Sequence, residues 1–426
     1  MGTCCTSGTR DEHEAELASL VRTESVGCIL KQRILLAACL CLVGFLGTSW
    51  ADECSASGIQ GTQERGVLAD PEYSNEILLA RRAALEIYDH GMLGNSDSAI
   101  NNKVGRPPGI SVAVAVSGKV VWAEGFGLAD LEQCVPVTPK TKFRIGSVSK
   151  PLTSAGAALL FEQKRLDLDA PIQRYVPSFP DKGSSVTTRQ LLGHLGGIRN
   201  YNAEESSKLD RDVYHAVSES LERFKGDPLV APPGTKWAYS TYGYVLVGAA
   251  VETASGQDFL SFMHDKVFLP LGMQDTFADE NDKVIPNRAR WYRVMADGSY
   301  RNTPYEDLSY KWAGGGFLST SEDLARFGFA LLKPGFLKQD TLAMIFSRQK
   351  TSAGKDTNYG LGWFIHDAGD NGTERQFEHS GGVAGSSAWL VIYPDRGVVI
   401  AWLQNSNDFR DWPISKVAQP FFSARK

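Results

Sequence analysis

Residues 143–150 read Phe143-Arg144-Ile145-Gly146-Ser147-Val148-Ser149-Lys150 and place a Ser-x-x-Lys motif where an apolar helical segment begins. A serine three residues ahead of a lysine lies on the same face of a helix, with the two side chains within reach of each other. A desolvated lysine has a lowered pKa and can act as a base toward the hydroxyl. Unpaired backbone N–H groups at a helix start can stabilise an oxyanion. The motif therefore indicates a nucleophilic Ser147 beside Lys150, provided that partners lie further along the chain.

The composition is that of a soluble globular protein of enzyme size. The chain has 426 residues, of which 42% are hydrophobic and 22% are charged, enough for one large or two ordinary domains. Its formal net charge of -5 gives no electrostatic reason to expect nucleic acid or an anionic membrane as a partner. The seven histidines form no cluster with metal-ligand spacing, so neither a metal nor another cofactor is predicted.

The first fifty-one residues are predicted to be a targeting segment. An apolar run at 34–47 follows Lys31 and Arg33, and small residues lead to a cleavage position after Ala51, which is typical of a secretory signal peptide. We therefore expect residues 1–51 to direct export to the periplasm or the medium, and a membrane association only if the segment is retained as an anchor. Acidic residues ahead of the run argue against a mitochondrial transit peptide, and a misplaced start codon would explain the long n-region.

Cysteine usage agrees with export. All but two of the cysteines precede the proposed cleavage position, which leaves Cys54 and Cys134 in the mature chain. Two cysteines cannot form a disulfide framework, and both one bridge and two free thiols remain open.

Two predicted hairpins stand at opposite ends of the mature chain. One pairs residues 110–116 with 119–127, and the other pairs 387–393 with 397–404, each as alternating or β-branched strands across a short turn. The sequence between them is mostly helical, with helices predicted at 151–164, 242–255 and 258–267. Residues 319–323 are a capping-box signature that opens a further helix through Leu332. Strands at both ends of a helical middle indicate one sheet with a helical insertion, an α+β fold.

Two further segments supply partners for the Ser-x-x-Lys motif. Tyr239-Ser240-Thr241 places a phenol at a helix start, and a phenol beside a lysine can shuttle protons between nucleophile and leaving group. His379-Ser380-Gly381-Gly382 precedes the C-terminal hairpin, and its glycines allow a backbone to approach closely. This combination suits a strand edge that flanks a substrate cleft.

In this order and at these separations, the three segments resemble the active-site elements of the penicillin-recognising serine hydrolases. This superfamily includes class C β-lactamases, serine DD-peptidases, D-aminopeptidases and β-lactamase-like carboxylesterases. Residues 186–195 are similar to a segment of its mitochondrial serine β-lactamase-like branch, and residues 313–320 also fit the family. The resemblance implies a β-lactamase/transpeptidase-like fold with a central antiparallel sheet flanked by helices. It implies a lead-in at 52–74 and a hydrolase domain at 75–426, with its α/β part at 75–170 and 305–426 and a helical insertion at 171–304.

The resemblance also implies acyl transfer through a covalent intermediate. Ser147 would attack the carbonyl, while Lys150 and Tyr239 remove its proton and return one to the leaving group, without a decision as to which of them is the base. By motif position, the N–H groups of Ser147 and Gly382 would form the oxyanion hole. The remaining substrate-binding residues carried over from the motifs are His379, Ser380, Gly381 and Thr241. No metal or other cofactor is implied.

Two residues depart from the class C pattern. Thr241 stands where those enzymes have an asparagine, and His379 stands where they have a lysine. A histidine is cationic only at mildly acidic pH, so we expect weaker binding of a β-lactam carboxylate and a peptidase or esterase more than a dedicated β-lactamase. The expected partner is a small peptide, amide or ester substrate. The alternative, motivated by the same departures, is a non-catalytic binding or self-assembling scaffold. His194 is expected to be structural, with hydrogen bonds inside its own loop.

Overall fold

The structure, a computed structural model, describes residues 66–90, 106–369, 374–406 and 413–423. These residues belong to one compact unit, Thr62–Lys426. The proposed signal segment and Cys54 lie outside the described residues. The predicted domain bounds, including the helical insertion at 171–304, stay predictions.

The strands are short outside one large sheet. In chain order they are β1 (Leu68–Ala69), β2 (Gly109–Val116), β3 (Lys119–Asp130), β4 (Val135–Pro136), β5 (Phe143–Arg144), β6 (Phe277–Ala278), β7 (Tyr292–Val294), β8 (Tyr300–Asn302), β9 (Phe317–Ser319), β10 (Phe364–His366), β11 (Gln376–Val383), β12 (Ser386–Tyr393) and β13 (Val398–Gln404).

The α-helices occupy the middle of the chain and its two ends. In chain order they are α1 (Ser74–His90), α2 (Ser149–Glu162), α3 (Thr188–Leu192), α4 (Ala203–Ser207), α5 (Thr241–Ser255), α6 (Phe259–Met263), α7 (Trp312–Gly315), α8 (Ser321–Ala330), α9 (Gln339–Ile345) and α10 (Ser415–Ala418). Among the described residues, no helix is long and apolar enough to cross a membrane.

The main sheet joins the two ends of the chain. Its strand order is β1-β3-β2-β13-β12-β11-β10, with β4 beside β3, and all of its neighbouring strands are antiparallel. The two predicted hairpins are β2/β3 and β12/β13, and they meet where β13 pairs with β2. The α+β fold with a central antiparallel sheet is therefore confirmed.

Strand β2 shows how the sequence divides the two faces of this sheet. Its residues at even positions from Ile110 to Val116 pack into one core with α1 and the C-terminal helical turns. The alternate Ala113 and Ala115 belong to the other core, beneath α8 and the helical part. Successive side chains of a strand point to opposite faces of the sheet. The layer that packs on the face with the small alanines can therefore approach the sheet more closely than the layer on the face with the larger side chains.

The predicted start of α8 is correct, but the capping box is not completed. Thr320 is the N-cap, and its hydroxyl accepts from the Asp323 N–H, as expected. The Asp323 carboxylate instead accepts from the backbone N–H and hydroxyl groups of the segment 275–276. The Asp323 carboxylate therefore anchors a distant loop. That loop offers it two hydrogen-bond donors, whereas a capping box would have offered only the backbone N–H of the N-cap residue.

Cys134 is disulfide-bonded, so the alternative of a free thiol at this position is wrong. All other cysteines of the sequence lie outside the described residues.

Candidate active site

Ser147 lies on a tight turn that leads from the sheet region into α2. The turn is a 3-10 turn at Gly146–Val148, directly after β5, and the Ile145 N–H donates to the Phe317 carbonyl at 3.0 Å. Gly146 has a φ of 48°, a left-handed conformation that favours glycine. Ser147 is half-buried, unlike its neighbours, which are buried. The turn therefore presents one hydroxyl from an otherwise buried segment.

Lys150 reaches Ser147 from within the protein core. Its side chain is fully buried, and its Nζ lies 2.9 Å from Ser147 Oγ, 3.2 Å from Thr241 Oγ1 and 2.7 Å from the Gly314 carbonyl oxygen. These contacts come from three separate parts of the chain. The Thr241 hydroxyl thus contacts the lysine at the position where the sequence departs from the class C pattern.

The environment favours the neutral amine form of Lys150. Burial lowers its pKa well below the ordinary value, and the positive charge of Lys311 lowers it further. Lys311 is itself buried and is paired with Glu306 at 2.9 Å. A neutral amine can donate its two N–H groups to the Thr241 and Gly314 oxygens and direct its lone pair at the Ser147 hydroxyl.

Tyr239 contacts the same hydroxyl from the other side. Its Oη lies 2.8 Å from Ser147 Oγ, and Lys150 Nζ lies 4.8 Å from the centre of its ring. Burial raises the pKa of the Tyr239 phenol, and only the hydrogen bond with Ser147 opposes that shift. The phenol therefore keeps its proton and donates it toward Ser147 Oγ.

The start of α5 fixes the segment that carries Tyr239. Ser240 is the N-cap, and its hydroxyl accepts from the Gly243 N–H and donates to the Arg199 carbonyl. The Thr241 N–H donates to Asn200 Oδ1 at 3.0 Å. These bonds hold Ser240 and Thr241 to the loop that follows α3.

Strand β11 runs alongside the Ser147 turn. A Cβ added to Gly381 would lie 1.9 Å from the Ile145 carbonyl oxygen and 2.9 Å from the Ser147 nitrogen, so the backbones meet where only glycine fits. A Cβ on Gly146 would lie 2.8 Å from the Gly382 nitrogen. The structure thus packs the Gly381–Gly382 backbone of β11 against the Gly146–Ser147 turn. The oxyanion hole at the Ser147 and Gly382 N–H groups stays a prediction. Ser380 lies between these glycines and His379 in the same strand.

His379 is buried beneath the site and is bonded at both ring nitrogens. Its Nε2 lies 2.9 Å from Tyr359 Oη, and its Nδ1 lies 2.6 Å from the Ser380 carbonyl oxygen. Since a carbonyl only accepts, Nδ1 carries the proton and Nε2 accepts from the phenol. Burial lowers the pKa of His379 to about 3, and the neighbouring Lys150 acts in the same direction. His379 therefore supplies neither a cation nor a free ring nitrogen to the cleft.

Replacing His379 with asparagine is expected to weaken the acid sensitivity of the fold. In the folded protein His379 has a pKa of about 3, whereas in the unfolded chain it has the ordinary histidine pKa of 6.5. As the pH falls below 6.5, only the unfolded chain binds the proton, so acidification lowers the free energy of unfolding. Between about pH 7 and about pH 5 this amounts to about 2 kcal/mol. Denaturant titrations at the two pH values measure the change in the free energy of unfolding. This change should be smaller by about 2 kcal/mol in His379→Asn than in the unmodified protein.

The exposed His215 gives the matched control, because His215→Asn makes the same substitution outside the core. Equal pH dependence in His379→Asn and the unmodified protein would contradict a neutral buried His379.

Several contacts of the site involve residues that the motifs alone do not indicate. The Gly314 carbonyl accepts from Lys150, and the charge of Lys311 lowers the pKa of Lys150. Asn200 accepts from the Thr241 N–H, two residues after Tyr239. The segment 313–320 resembles the family, but nothing in it reveals which carbonyl faces a lysine far away in sequence. His194 does not bond only within its own loop as expected, because its ring accepts from the Ser240 N–H at 3.2 Å.

Comparisons with known proteins agree with this geometry. The family model described as Beta-lactamase matches residues 97–416. The chain is 36% identical to the Serine beta-lactamase-like protein LACTB, mitochondrial, of Homo sapiens over 70% of each chain. It is 28% identical to Penicillin-binding protein 4* of Bacillus subtilis, over 70% of this chain and 68% of that one. The D-amino acid amidase of Ochrobactrum anthropi superposes with a TM-score of 0.66 at 25% identity, over 82% of this chain and 99% of that one.

Proposed function

The chain belongs to the beta-lactamase family, whose members include hydrolases, and we propose that it is an exported serine hydrolase. In this proposal it forms a covalent acyl-enzyme on Ser147 and cleaves a peptide, amide or ester bond. The observation that carries the proposal is the position of Ser147 Oγ, which lies 2.9 Å from Lys150 Nζ and 2.8 Å from Tyr239 Oη. A half-exposed serine between a buried amine and a protonated phenol has the groups that nucleophilic catalysis needs.

The two pKa shifts support a division of roles. Lys150 has a lowered pKa and a lone pair toward the hydroxyl, so it takes the Ser147 proton as Oγ attacks the carbonyl carbon. The N–H groups of Ser147 and Gly382 stabilise the oxyanion. Tyr239 donates its proton to the leaving nitrogen or oxygen and regains one from the Lys150 ammonium. Water then attacks the ester on Ser147 and gives a proton to Lys150. The bond between the acyl carbon and Ser147 Oγ breaks as Lys150 returns that proton to Oγ, and the acid product leaves.

The site favours a substrate whose recognition does not need a cation at the His379 position. His379 is neutral and bonded at both nitrogens, so it cannot attract the carboxylate of a β-lactam. Similarity to a D-amino acid amidase adds support for amides. We therefore propose peptidase, amidase or carboxylesterase activity more than dedicated β-lactamase activity.

The function is tested by intact-protein mass spectrometry after exposure to a fluorophosphonate. We expect one covalent adduct per chain, with fragmentation assigning it to the peptide that contains Ser147. The unmodified protein, shown to be folded by circular dichroism, would contradict the proposal if it gave no adduct. That result, together with assembly in light scattering, would instead favour the scaffold alternative.

Export is proposed from the sequence of residues 1–51 and needs its own experiment. The intact mass of the protein recovered from cells should correspond to a chain that begins at Asp52. Recovery of the full-length chain from the cytosol or from mitochondria would contradict export.

A further inference from the structure

His194 lies in the loop after α3, directly beneath the phenol of Tyr239. Its side chain is buried, with 2% of the residue exposed, and its φ of 59° is left-handed. A residue with a Cβ adopts this conformation rarely, and histidine does so more readily than most. The left-handed conformation is therefore unfavourable for His194 by itself, and the surrounding contacts hold the residue in it.

Hydrogen bonds from His194 flank Tyr239 on both sides. The His194 carbonyl accepts from the Ala238 N–H at 2.8 Å, and its ring Nδ1 accepts from the Ser240 N–H at 3.2 Å. The two donors are the residues immediately before and after Tyr239. One residue thus fixes the backbone at both neighbours of the phenol.

The His194 ring also packs against the phenol that it flanks. The ring centroids of His194 and Tyr239 are 4.3 Å apart, and Tyr359 packs at 4.7 Å from the same imidazole. The tilted rings limit sideways movement of the phenol, because any displacement must also move a buried neighbour.

Folding energy alone does not explain why a histidine occupies this position. Since Nδ1 accepts, the proton of the neutral ring is on Nε2, and Nε2 has no hydrogen-bond partner among the described residues. Burial keeps this ring neutral by lowering its pKa. A buried N–H without a partner costs stability, and this cost offsets part of what the hydrogen bond from the Ser240 N–H to Nδ1 contributes.

We propose that His194 is a positioning residue for Tyr239, holding the phenol oxygen at hydrogen-bonding distance from Ser147. The inference rests on the proposed function, in which Tyr239 transfers a proton. The hydrogen bond to His194 Nδ1 fixes the position of Ser240 and therefore of its neighbour Tyr239. The rate of proton transfer from the phenol then depends on this acceptor. A misplacement of about 1 Å in a proton donor is enough to lower a rate about 100-fold.

The test compares His194→Asn with His194→Gly. Both residues tolerate the left-handed backbone and both remove the ring, but only asparagine retains an acceptor, its Oδ1, at the position of Nδ1. The readouts are the rate of acylation of Ser147 by a fluorophosphonate, and kcat and KM for an ester or amide that the unmodified protein hydrolyses. We expect His194→Gly to lower the acylation rate and kcat about 100-fold with little change in KM, and His194→Asn to retain activity within about tenfold.

Repeating the comparison in a Tyr239→Phe background separates positioning from general destabilisation. If His194 acts through the phenol, His194→Gly should lower the acylation rate and kcat by less than about threefold in the Tyr239→Phe background. The two substitutions then remove the same effect and are not additive. An equal loss in both backgrounds, or an equal loss in the glycine and asparagine variants, would overturn the inference. Absence of labelling in the unmodified protein would overturn the proposed function instead. Thermal unfolding of each variant establishes that it is folded.

Discussion

Ser147→Ala is expected to abolish covalent labelling and to lower turnover on the order of 10⁶-fold, which leaves only what the rest of the site can do without a nucleophile. The reason is that the hydroxyl oxygen forms the bond to the acyl group, and no other hydroxyl stands between Lys150 and Tyr239 in the described residues. Since Ser147 is half-exposed and its side chain is small, the fold should tolerate alanine. Turnover is measured with the substrate that the unmodified protein hydrolyses best, and labelling is measured by intact mass.

Ser149 gives the matched control for this substitution. It lies two residues further along the same motif, and its buried hydroxyl accepts from the Phe317 N–H at 3.4 Å without contacting Lys150. Ser149→Ala should therefore lose about 1 kcal/mol of stability while keeping turnover within a few-fold. If Ser147→Ala retained turnover within about tenfold of the unmodified protein, Ser147 would not be the nucleophile.

Lys150→Met is expected to lower kcat/KM by about 10³-fold or more, the range of a lost general base. Methionine fills a similar buried volume and carries no proton acceptor of comparable strength. The substitution leaves Thr241 Oγ1 and the Gly314 carbonyl without their donor, so a loss of about 1 to 3 kcal/mol per group is expected in the free energy of unfolding. The exposed Lys333→Met should change neither quantity.

The pH profile distinguishes a base from a structural lysine. In the unmodified protein, kcat/KM should fall as the pH falls through the lowered pKa of Lys150, because the protonated amine cannot take the serine proton. The residual activity of Lys150→Met should lack this acidic limb. Combining Lys150→Met with Ser147→Ala should cost no more than Ser147→Ala alone, because residues that act as a unit are not additive. A retained limb in Lys150→Met would assign it to another group.

The order of three short motifs in the sequence was enough to predict the fold family and to group Ser147, Lys150 and Tyr239. Alternating strands at 110–127 and 387–404 also predicted the two hairpins, because a period of two is a local property of the chain. Gly381 and Gly382 were predicted to permit a close backbone approach, and the structure brings that strand against the Ser147 turn.

The sequence was less informative about the electrostatic state of the same residues. His379 was predicted to bind substrate and to be cationic only at mildly acidic pH, but burial lowers its pKa to about 3 and both of its ring nitrogens are hydrogen-bonded. Thr241 was identified as a departure from asparagine, yet its contact with Lys150 Nζ depended on how α5 packs beside α2. The pKa of a group reflects the atoms around it, and most of those atoms come from distant parts of the chain.

The sequence by itself determined which side chains can react and in what order they occur along the chain, because nucleophile, amine and phenol are properties of residue type, and helix and strand patterns are properties of neighbouring residues. Only the tertiary structure decided that Lys150 is desolvated next to Lys311, that the Gly314 carbonyl accepts from it, and that His194 flanks Tyr239. These features arise where segments about fifty to more than one hundred and fifty residues apart pack together, and no local pattern encodes the distance or the dielectric environment at such a contact.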